Sequence, residues 1–129
     1  MKKTSLIILS LLVTTLLFAG CRSNPVRNVS DAPVSASSNV ASDQVRDAII
    51  RAGNGLGWSM KADAPGHVLA TLYIRDHVAI ADIHYNTKTY SITYNDSTNL
   101  NYKDGNIHKN YNGWIQNLDN AIKRQLSML

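Results

Sequence analysis

Residues 67–95 read HVLATLYIRDHVAIADIHYNTKTYSITYN, and the alternation of apolar and polar side chains in this stretch decides the fold. If Asp76-His77 forms a two-residue turn, apolar positions of the flanking strands face each other, as Leu72 faces Ala81. A slip by one residue would move the apolar set to the other face, so the alternation fixes which face is buried. The stretch predicts antiparallel strands with one apolar face.

The same alternation extends to the neighbouring strands. A second two-residue turn at 87–88 would set Tyr85 opposite Tyr90 on the apolar face. A shorter strand comes first, with alternating apolar side chains at Trp58, Met60 and Ala62. We therefore predict a four-stranded antiparallel meander.

Two amphipathic helices flank these strands. The first is expected to begin after an N-cap at Ser42 and to stop at Gly53. The second covers residues 107–126, with Asp104 or Asn106 as its cap. Both helices need an apolar sheet face to cover, and one is present. We predict an α+β, two-layer fold with an N-terminal helix, a four-stranded antiparallel meander and a C-terminal helix, both helices on one sheet face.

One glycine lies inside the second predicted helix. Gly113 costs ~1 kcal/mol there relative to alanine. We attribute it to a close approach between this helix and the sheet, beside the bulky Trp114.

The N-terminus has the three-part pattern of a secretory signal. Two lysines precede the apolar run 6–19, and small residues follow it. The run is shorter than the ~20 residues of a transmembrane helix. Residues 17–21, LFAGC, resemble the lipobox of bacterial lipoproteins, in which cleavage falls between Gly20 and Cys21 and the cysteine is acylated. The alternative is an ordinary signal peptide followed by an incidental free cysteine.

The lipobox resemblance implies a location and a domain order. Cys21 would carry diacylglycerol and an amide-linked acyl chain such as palmitate, which together anchor a protein stably. Arg22, in place of an aspartate after the cysteine, implies the outer membrane, on its periplasmic side. We expect a signal peptide over 1–20, the lipidated cysteine and a flexible Ser-, Asn- and Pro-containing spacer over 21–42, and a globular domain over 43–129.

Charge argues against a nucleic-acid partner. The 129 residues carry 13 Lys and Arg against 9 Asp and no Glu, a net charge of +4. Removal of the signal peptide takes away two lysines and no acid, which leaves 11 − 9 = +2. A nucleic-acid footprint needs a basic stripe, and none is evident. The single cysteine excludes an internal disulfide.

The sheet face opposite the helices is the candidate binding surface. No segment of the predicted domain covers it, and an exposed apolar patch with a polar rim is typical of a partner or ligand site. The alternative is partial cover by the spacer or by a second copy of the chain. The residues predicted on this face are Leu69, Thr71, Tyr73, Arg75, Val78, Ile80, Asp82 and His84.

Three of the polar side chains near this face invite a catalytic interpretation, which the spacing disfavours. Asp82 and His84 share a face, with Ser91 on the next strand. Side chains two residues apart stand ~7 Å apart, too far for the hydrogen bond of a catalytic triad. We predict no catalytic residues; Asp82 is expected to be held by the hydroxyls of Thr71 and Thr93, and His84 to be a surface residue.

No metal or other cofactor is expected. None of the four histidines is spaced i, i+4 with another on a helix. The Asn- and Asp-rich stretch 95–106 has oxygen ligands but lacks the EF-hand order and its terminal glutamate. Its residues are expected to form turns and caps. The histidines are His67, His77, His84 and His108.

Residues 58–118 resemble a group of small, uncharacterised lipoproteins of proteobacterial envelopes. The resemblance rests on segments that include ADIHY at 81–85, YSITY at 90–94 and YNGWI at 111–115. It implies the fold and the location but no established activity.

These observations lead to one functional hypothesis and one alternative. The leading hypothesis is a non-enzymatic, outer-membrane-anchored module for protein interaction or envelope maintenance that docks an envelope protein on the open sheet face. The alternative is a small-ligand or peptidoglycan (glycan) binder that uses Tyr73 and Tyr102.

Overall fold

A computed structural model describes residues 23–37 and 39–129. The predicted signal peptide over 1–20, with Gly20, and the predicted lipidation site Cys21 lie outside these residues. The elements in chain order are β1 (Ser23–Pro25), β2 (Val29–Pro33), α1 (Ser42–Gly55), β3 (Ser59–Ala64), β4 (His67–Ile74), β5 (His77–Tyr85), β6 (Thr89–Thr98), β7 (Asn106–His108) and α2 (Lys109–Ser127).

The predicted α+β class is confirmed, with a larger sheet than expected. Five antiparallel strands lie in the order β2-β6-β5-β4-β3, and β1 pairs with β7 in a separate two-stranded sheet. The strands β3 to β6 pair in sequence order as a meander, and β2 adds a fifth strand at the β6 edge. Within the described part of the chain, no helix is long and apolar enough to cross a membrane.

The stretch expected to be a flexible spacer contributes both β1 and β2, which corrects the expectation for residues 21–42. In β2, Val29 lies opposite Ile92 and Ala32 lies opposite Tyr90, with a bulge between the two pairs. Backbone hydrogen bonds to strands already in place hold these short edge segments. They therefore need no side-chain period of their own, which is why the sequence pattern did not reveal them.

The register of the sheet follows the apolar alternation, with one shift. The β5–β6 pairing of Tyr85 with Tyr90 is confirmed. In the β4–β5 pair, Leu72 lies opposite Ala79 and not Ala81, because the turn is Arg75-Asp76 and not Asp76-His77. A shift of two residues keeps every side chain on its predicted face, so the alternation could not distinguish the two registers.

One sheet face packs against both helices in a single core cluster. We call it the covered face, and we call the opposite face the open face. The covered face and the two helices supply the side chains that are buried from solvent, and this burial is the main source of the fold's stability. The covered-face members of the cluster are Val68, Ala70, Leu72, Ala79, Ala81, Ile83, Tyr85, Tyr90 and Ile92.

The boundaries of α1 differ from those predicted. The N-cap is Ala41 and not Ser42, and the Gln44 side chain accepts a hydrogen bond from the Ala41 backbone N–H (2.9 Å). Gly53 lies buried inside the helix, where an added Cβ would run into the Met60 side chain, and the helix continues to Gly55. The glycine at 53 therefore permits close packing of α1 on β3 and does not end the helix.

The start of α2 also differs. Ile107, expected in the helix, lies in β7. The cap is neither Asp104 nor Asn106 but His108, whose Nδ1 accepts a hydrogen bond from the backbone N–H of Asn110 (3.2 Å).

The expectation for Gly113 is wrong. Gly113 is exposed, and a Cβ built on it would meet no atom within 4 Å outside its own neighbourhood in the helix. No packing contact in the structure explains a glycine at this position.

Candidate functional site

The strand register places seven of the eight predicted binding residues on the open face, and the eighth, Arg75, lies in the β4–β5 turn. Across β4 and β5, Tyr73 lies opposite Val78, Thr71 opposite Ile80, and Leu69 opposite Asp82. The predicted turn at Asp76-His77 would have set Tyr73 opposite Ile80, so the shifted turn changes its partner to Val78. The remaining two members, Arg75 and His84, are exposed, Arg75 at the β4–β5 turn with a positive φ of 54° and His84 near the end of β5.

The apolar part of the open face is centred on Tyr73, whose exposed fraction is 72%. Val78 lies opposite Tyr73 and Ile80 diagonally across from it, and both are half-buried, as is Leu69 four residues earlier in β4. An exposed aromatic ring beside aliphatic side chains offers contact area at a low cost in side-chain entropy. This part of the face can therefore bind an apolar group of a partner.

The polar part of the open face is a hydrogen-bonded cluster around Asp82. The Oδ1 of Asp82 lies 2.7 Å from Nε2 of His67, and its Oδ2 accepts a hydrogen bond from the Asn95 side chain (2.9 Å). Asp63 lies on the other side of the His67 ring, with Oδ2 3.4 Å from Nδ1. The rings of His67 and His84 stack with centroids 4.8 Å apart. We call these residues the Asp82 cluster.

This cluster was not predicted, and the reason is geometric. Asp82 was expected to be held by Thr71 and Thr93; it does lie opposite Thr93 on β6, but on β4 it lies opposite Leu69 and not Thr71. His67 is thereby brought diagonally across from Asp82. The second partner, Asn95, is the extra residue of a bulge in β6, which sequence periodicity does not reveal. A turn placed at Arg75-Asp76 would have brought His67 next to Asp82, but the apolar alternation alone does not select that turn.

The Asp82 cluster does not assemble the triad considered from the sequence. Asp82 hydrogen-bonds to His67 rather than to His84. The Oγ of Ser91 accepts a hydrogen bond from the backbone N–H of Asp31 (3.0 Å). The described residues thus present a hydrogen-bonded polar surface, in which His67 and Asp82 have only 17% and 22% of their side chains exposed.

The other two histidines, His77 and His108, each make a separate local contact. Nδ1 of His77 lies 2.8 Å from the backbone oxygen of Asn99, and His108 caps α2. Among residues 23–37 and 39–129, no group of three or more His, Cys, Asp or Glu side chains is arranged to hold a metal ion.

A second polar network is buried on the helix side of the sheet. The hydroxyl of Tyr90 donates to Oδ1 of Asp119 (2.6 Å), and Nζ of Lys123 lies 3.1 Å from Oδ2 of the same carboxylate. Asp119 is only 2% exposed. Burial, together with the hydrogen bond to Asp119, raises the pKa of Tyr90 above its ordinary value. The network joins β6 to α2 and is structural.

Tyr111 contrasts with Tyr90. Its hydroxyl is buried and has no hydrogen-bond partner within the described residues. Burial raises the pKa of Tyr111 above its ordinary value. The ring packs edge-on against Tyr94, whose own ring stacks on Tyr102 with centroids 4.1 Å apart.

The two tyrosines proposed for a glycan site lie on opposite sides of the sheet. Tyr102 stacks on Tyr94, which packs against Tyr111 on the helix side, whereas Tyr73 lies on the open face. The structure does not bring Tyr73 and Tyr102 into one site.

A cleft of about 460 Å³ opens beside the first turn of α1. Its lining mixes polar and apolar groups and includes Asp43 and Arg46 from the start of α1. The lining residues are Ser42, Asp43, Arg46, Ala62, Asp63, Ala64, Pro65 and Tyr85.

The described residues of the predicted spacer do not cover the open face. Its strand β2 continues the sheet beyond β6, in the plane of the strands. The open face therefore carries a Tyr73 patch and the Asp82 cluster side by side, with no described element packed over them.

No protein-family model, no curated protein and no solved structure matches the chain.

Proposed function

We propose that the protein is an outer-membrane-anchored periplasmic lipoprotein that acts as a non-enzymatic docking module, binding an envelope protein on its open sheet face. One observation carries the proposal. None of the described elements covers the open face, which presents the 72%-exposed ring of Tyr73 next to the preformed Asp82 cluster.

The chemistry of this face fits a protein partner. Binding energy in protein interfaces concentrates in a few aromatic or large side chains with a polar rim around them. Tyr73 supplies such an aromatic group, with Val78 directly opposite. The Asp82 cluster supplies oriented polar groups whose positions are fixed before binding, which lowers the entropy lost on association.

The lipobox pattern at 17–21 supports the location. Acyl chains on Cys21 would hold the protein at the membrane, and Arg22 favours the outer membrane. Replacement of Cys21 by serine is expected to release the protein from the membrane fraction. Retention of the Cys21→Ser protein in the membrane would contradict lipid anchoring.

Site-specific photocrosslinking in living cells tests the docking surface. A photoreactive phenylalanine analogue in place of Tyr73 is expected to give discrete adducts with an envelope protein. The matched control is the same analogue at Met128, which is similarly exposed (69%) but follows α2 on the helix side. Ile80→Asp, in a folded protein, is expected to abolish the Tyr73 adducts. Adducts at Met128 with none at Tyr73 would contradict the proposal.

A small ligand such as a peptidoglycan fragment is the second candidate, favoured by the 460 Å³ cleft beside α1. Its volume lies within the range typical of ligand pockets. Titration of the protein with peptidoglycan fragments, followed by amide NMR shifts, separates the two functions. Shifts confined to the cleft lining, for example at Arg46 and Ala62, would favour ligand binding. Their absence would leave docking as the better account.

A further inference from the structure

The first strand begins very close to the proposed lipid anchor. β1 starts at Ser23, two residues after Cys21. Two residues span at most ~7 Å of fully extended chain, whatever conformation they adopt. Acyl chains on Cys21 would therefore hold Ser23 within that distance of the lipid headgroups. A flexible spacer of twenty residues would have let the domain stand away from the membrane, and β1 removes that freedom.

β1 and the residues after it are held firmly to the domain. The backbone N–H of Val26 donates to the carbonyl oxygen of Gly105 (2.8 Å). The Asn112 side chain donates to the Pro25 carbonyl oxygen (2.9 Å) and accepts from the Arg27 N–H (2.8 Å). The tether cannot lengthen unless these hydrogen bonds break together with the β1–β7 pairing.

These contacts identify which end of the sheet lies next to the anchor. Ser23 lies opposite His108, and the N–H of His108 donates to the Leu100 carbonyl oxygen (2.9 Å). The neighbouring Asn99 carbonyl contacts His77 at the β4–β5 turn (2.8 Å). The β4–β5 turn and the end of β6 thus share one end of the molecule with the start of β1.

We propose that the lipidated domain rests on the phospholipid surface with this end down. The anchor end is formed by residues 75–77, 99–101 and 108–109, and the distal end is the β5–β6 turn at 86–88. The ten residues of β6 separate the two ends by about 30 Å of extended strand. The inference rests on the proposed lipid anchor and adds a fixed orientation to it.

The charges at the anchor end fit a surface of lipid phosphates. Arg75 and Lys109 are exposed there, and neither forms an ion pair with an acidic side chain of residues 23–37 or 39–129. One exposed acid, Asp76, lies at the same end. Basic groups near an anionic membrane surface each add attraction on the order of 1 kcal/mol. This attraction supplements the tether.

The orientation has a consequence for docking. Tyr73 lies at the anchor end of the open face, opposite Val78 and close to the β4–β5 turn. A partner that contacts Tyr73 would approach beside the bilayer, as the periplasmic side of an outer-membrane protein does. The 460 Å³ cleft, which is lined by Tyr85 at the end of β5, faces away from the lipid.

Fluorescence quenching on vesicles tests the orientation. The lipidated full chain is purified, reconstituted in phosphatidylethanolamine–phosphatidylglycerol vesicles that contain a headgroup nitroxide lipid, and labelled at one introduced cysteine. Lys109→Cys reports the anchor end, and Lys88→Cys is the matched control at the distal end; both lysines are exposed. Cys21, blocked as a thioether, does not take the label. We expect a strong loss of fluorescence at position 109 and little or none at position 88.

Two further results decide the proposal. Insertion of about 20 Gly and Ser residues between Arg22 and Ser23, with a root-mean-square reach of ~25 Å, is expected to reduce the loss at position 109 towards that at position 88. Equal quenching at both positions without the insertion would overturn the orientation, and an unchanged difference with it would overturn the role of the short tether. Failure of the protein to float with the vesicles would overturn the lipid anchor and the orientation together.

Discussion

The covered face and the open face of the sheet are built from the same strands but differ in what their side chains do. On the covered face, Ala81, Ile83 and Ile92 are fully buried in one cluster with both helices. On the open face, the alternating neighbours Asp82 and His84 belong to a polar cluster that water can reach. Because adjacent residues of a strand point to opposite faces, one segment can supply stability on one side and recognition on the other.

The difference shows how each face constrains its residues. A buried apolar position tolerates only side chains of similar shape, since interiors are closely packed. An open-face position is free of that requirement and can be chosen for contact with a partner. Paired substitutions, one on each face, therefore measure how far stability and recognition are separated in this sheet.

The largest expected effect comes from Ile83→Ala on the covered face. Ile83 is fully buried, and its truncation should lower the free energy of unfolding by about 2–5 kcal/mol. The matched variant on the open face, Ile80→Ala, removes a half-buried side chain and should cost about 1 kcal/mol. Equilibrium urea unfolding of residues 22–129 measures both. Equal losses for the two variants would contradict the assignment of the faces.

The next effect concerns the polar groups buried on the covered side. Tyr90→Phe removes the donor to the buried Asp119 carboxylate and should cost about 1.5–3 kcal/mol. Tyr111→Phe removes a buried hydroxyl that has no partner among the described residues and should leave stability unchanged or slightly higher. Urea unfolding at neutral pH distinguishes the two variants. A cost for Tyr111→Phe as large as that for Tyr90→Phe would show that its hydroxyl is satisfied.

The same two variants should differ from the parent at alkaline pH. Burial raises the pKa of both phenols, so the folded protein keeps them neutral. The unfolded chain ionises them near pH 10, so their contribution to stability is complete below that pH and falls as the pH rises above about 10. Each phenylalanine variant should therefore lose less stability between pH 9 and pH 11 than the parent does. Identical pH profiles for variant and parent would contradict this.

The covered face could be predicted from the sequence, and the Asp82 cluster could not. Apolar alternation identifies which side chains are buried, and it gave the pairing of Tyr85 with Tyr90. The alternation cannot distinguish two registers that differ by two residues, because each side chain stays on the same face in both. The contacts of Asp82 with His67 and Asn95 depend on that shift and on a bulge.

The N-terminal strands could not be predicted from the sequence, for a different reason. β1 and β2 occupy sheet edges and contain prolines at Pro25 and Pro33. Backbone pairing holds them, and their side chains are mostly exposed, so no period of 2 marks them. The position of Ser23 next to His108, and with it the short tether, could be found only from the fold.

A smaller effect is expected from the Asp82 cluster itself. Asp82→Ala removes the partner of both His67 and Asn95 and should lower stability by about 1 kcal/mol, since water can replace part of the lost bonding. Asp96→Ala is the control on the same face, because the Asp96 side chain bonds only to the adjacent Ser97 N–H within the described residues. Urea unfolding measures the cost. If the NMR shifts of the His67 and His84 rings change in Asp82→Ala and not in Asp96→Ala, the lost stability comes from the Asp82 cluster. A loss of several kcal/mol would mean that the open face also carries stability.

The smallest expected change is a gain. Gly113 is exposed in the first turns of α2, and an added Cβ would contact nothing. Gly113→Ala should therefore raise the free energy of unfolding by about 0.5–1 kcal/mol through helix propensity alone. Gly53→Ala is the control, because Gly53 lies on the buried side of α1 and its added methyl would displace the Met60 side chain, which should offset or reverse the gain. Both are measured by urea unfolding. A lower free energy of unfolding for Gly113→Ala than for the parent would contradict this and would point to a second copy of the chain packed against that turn of α2.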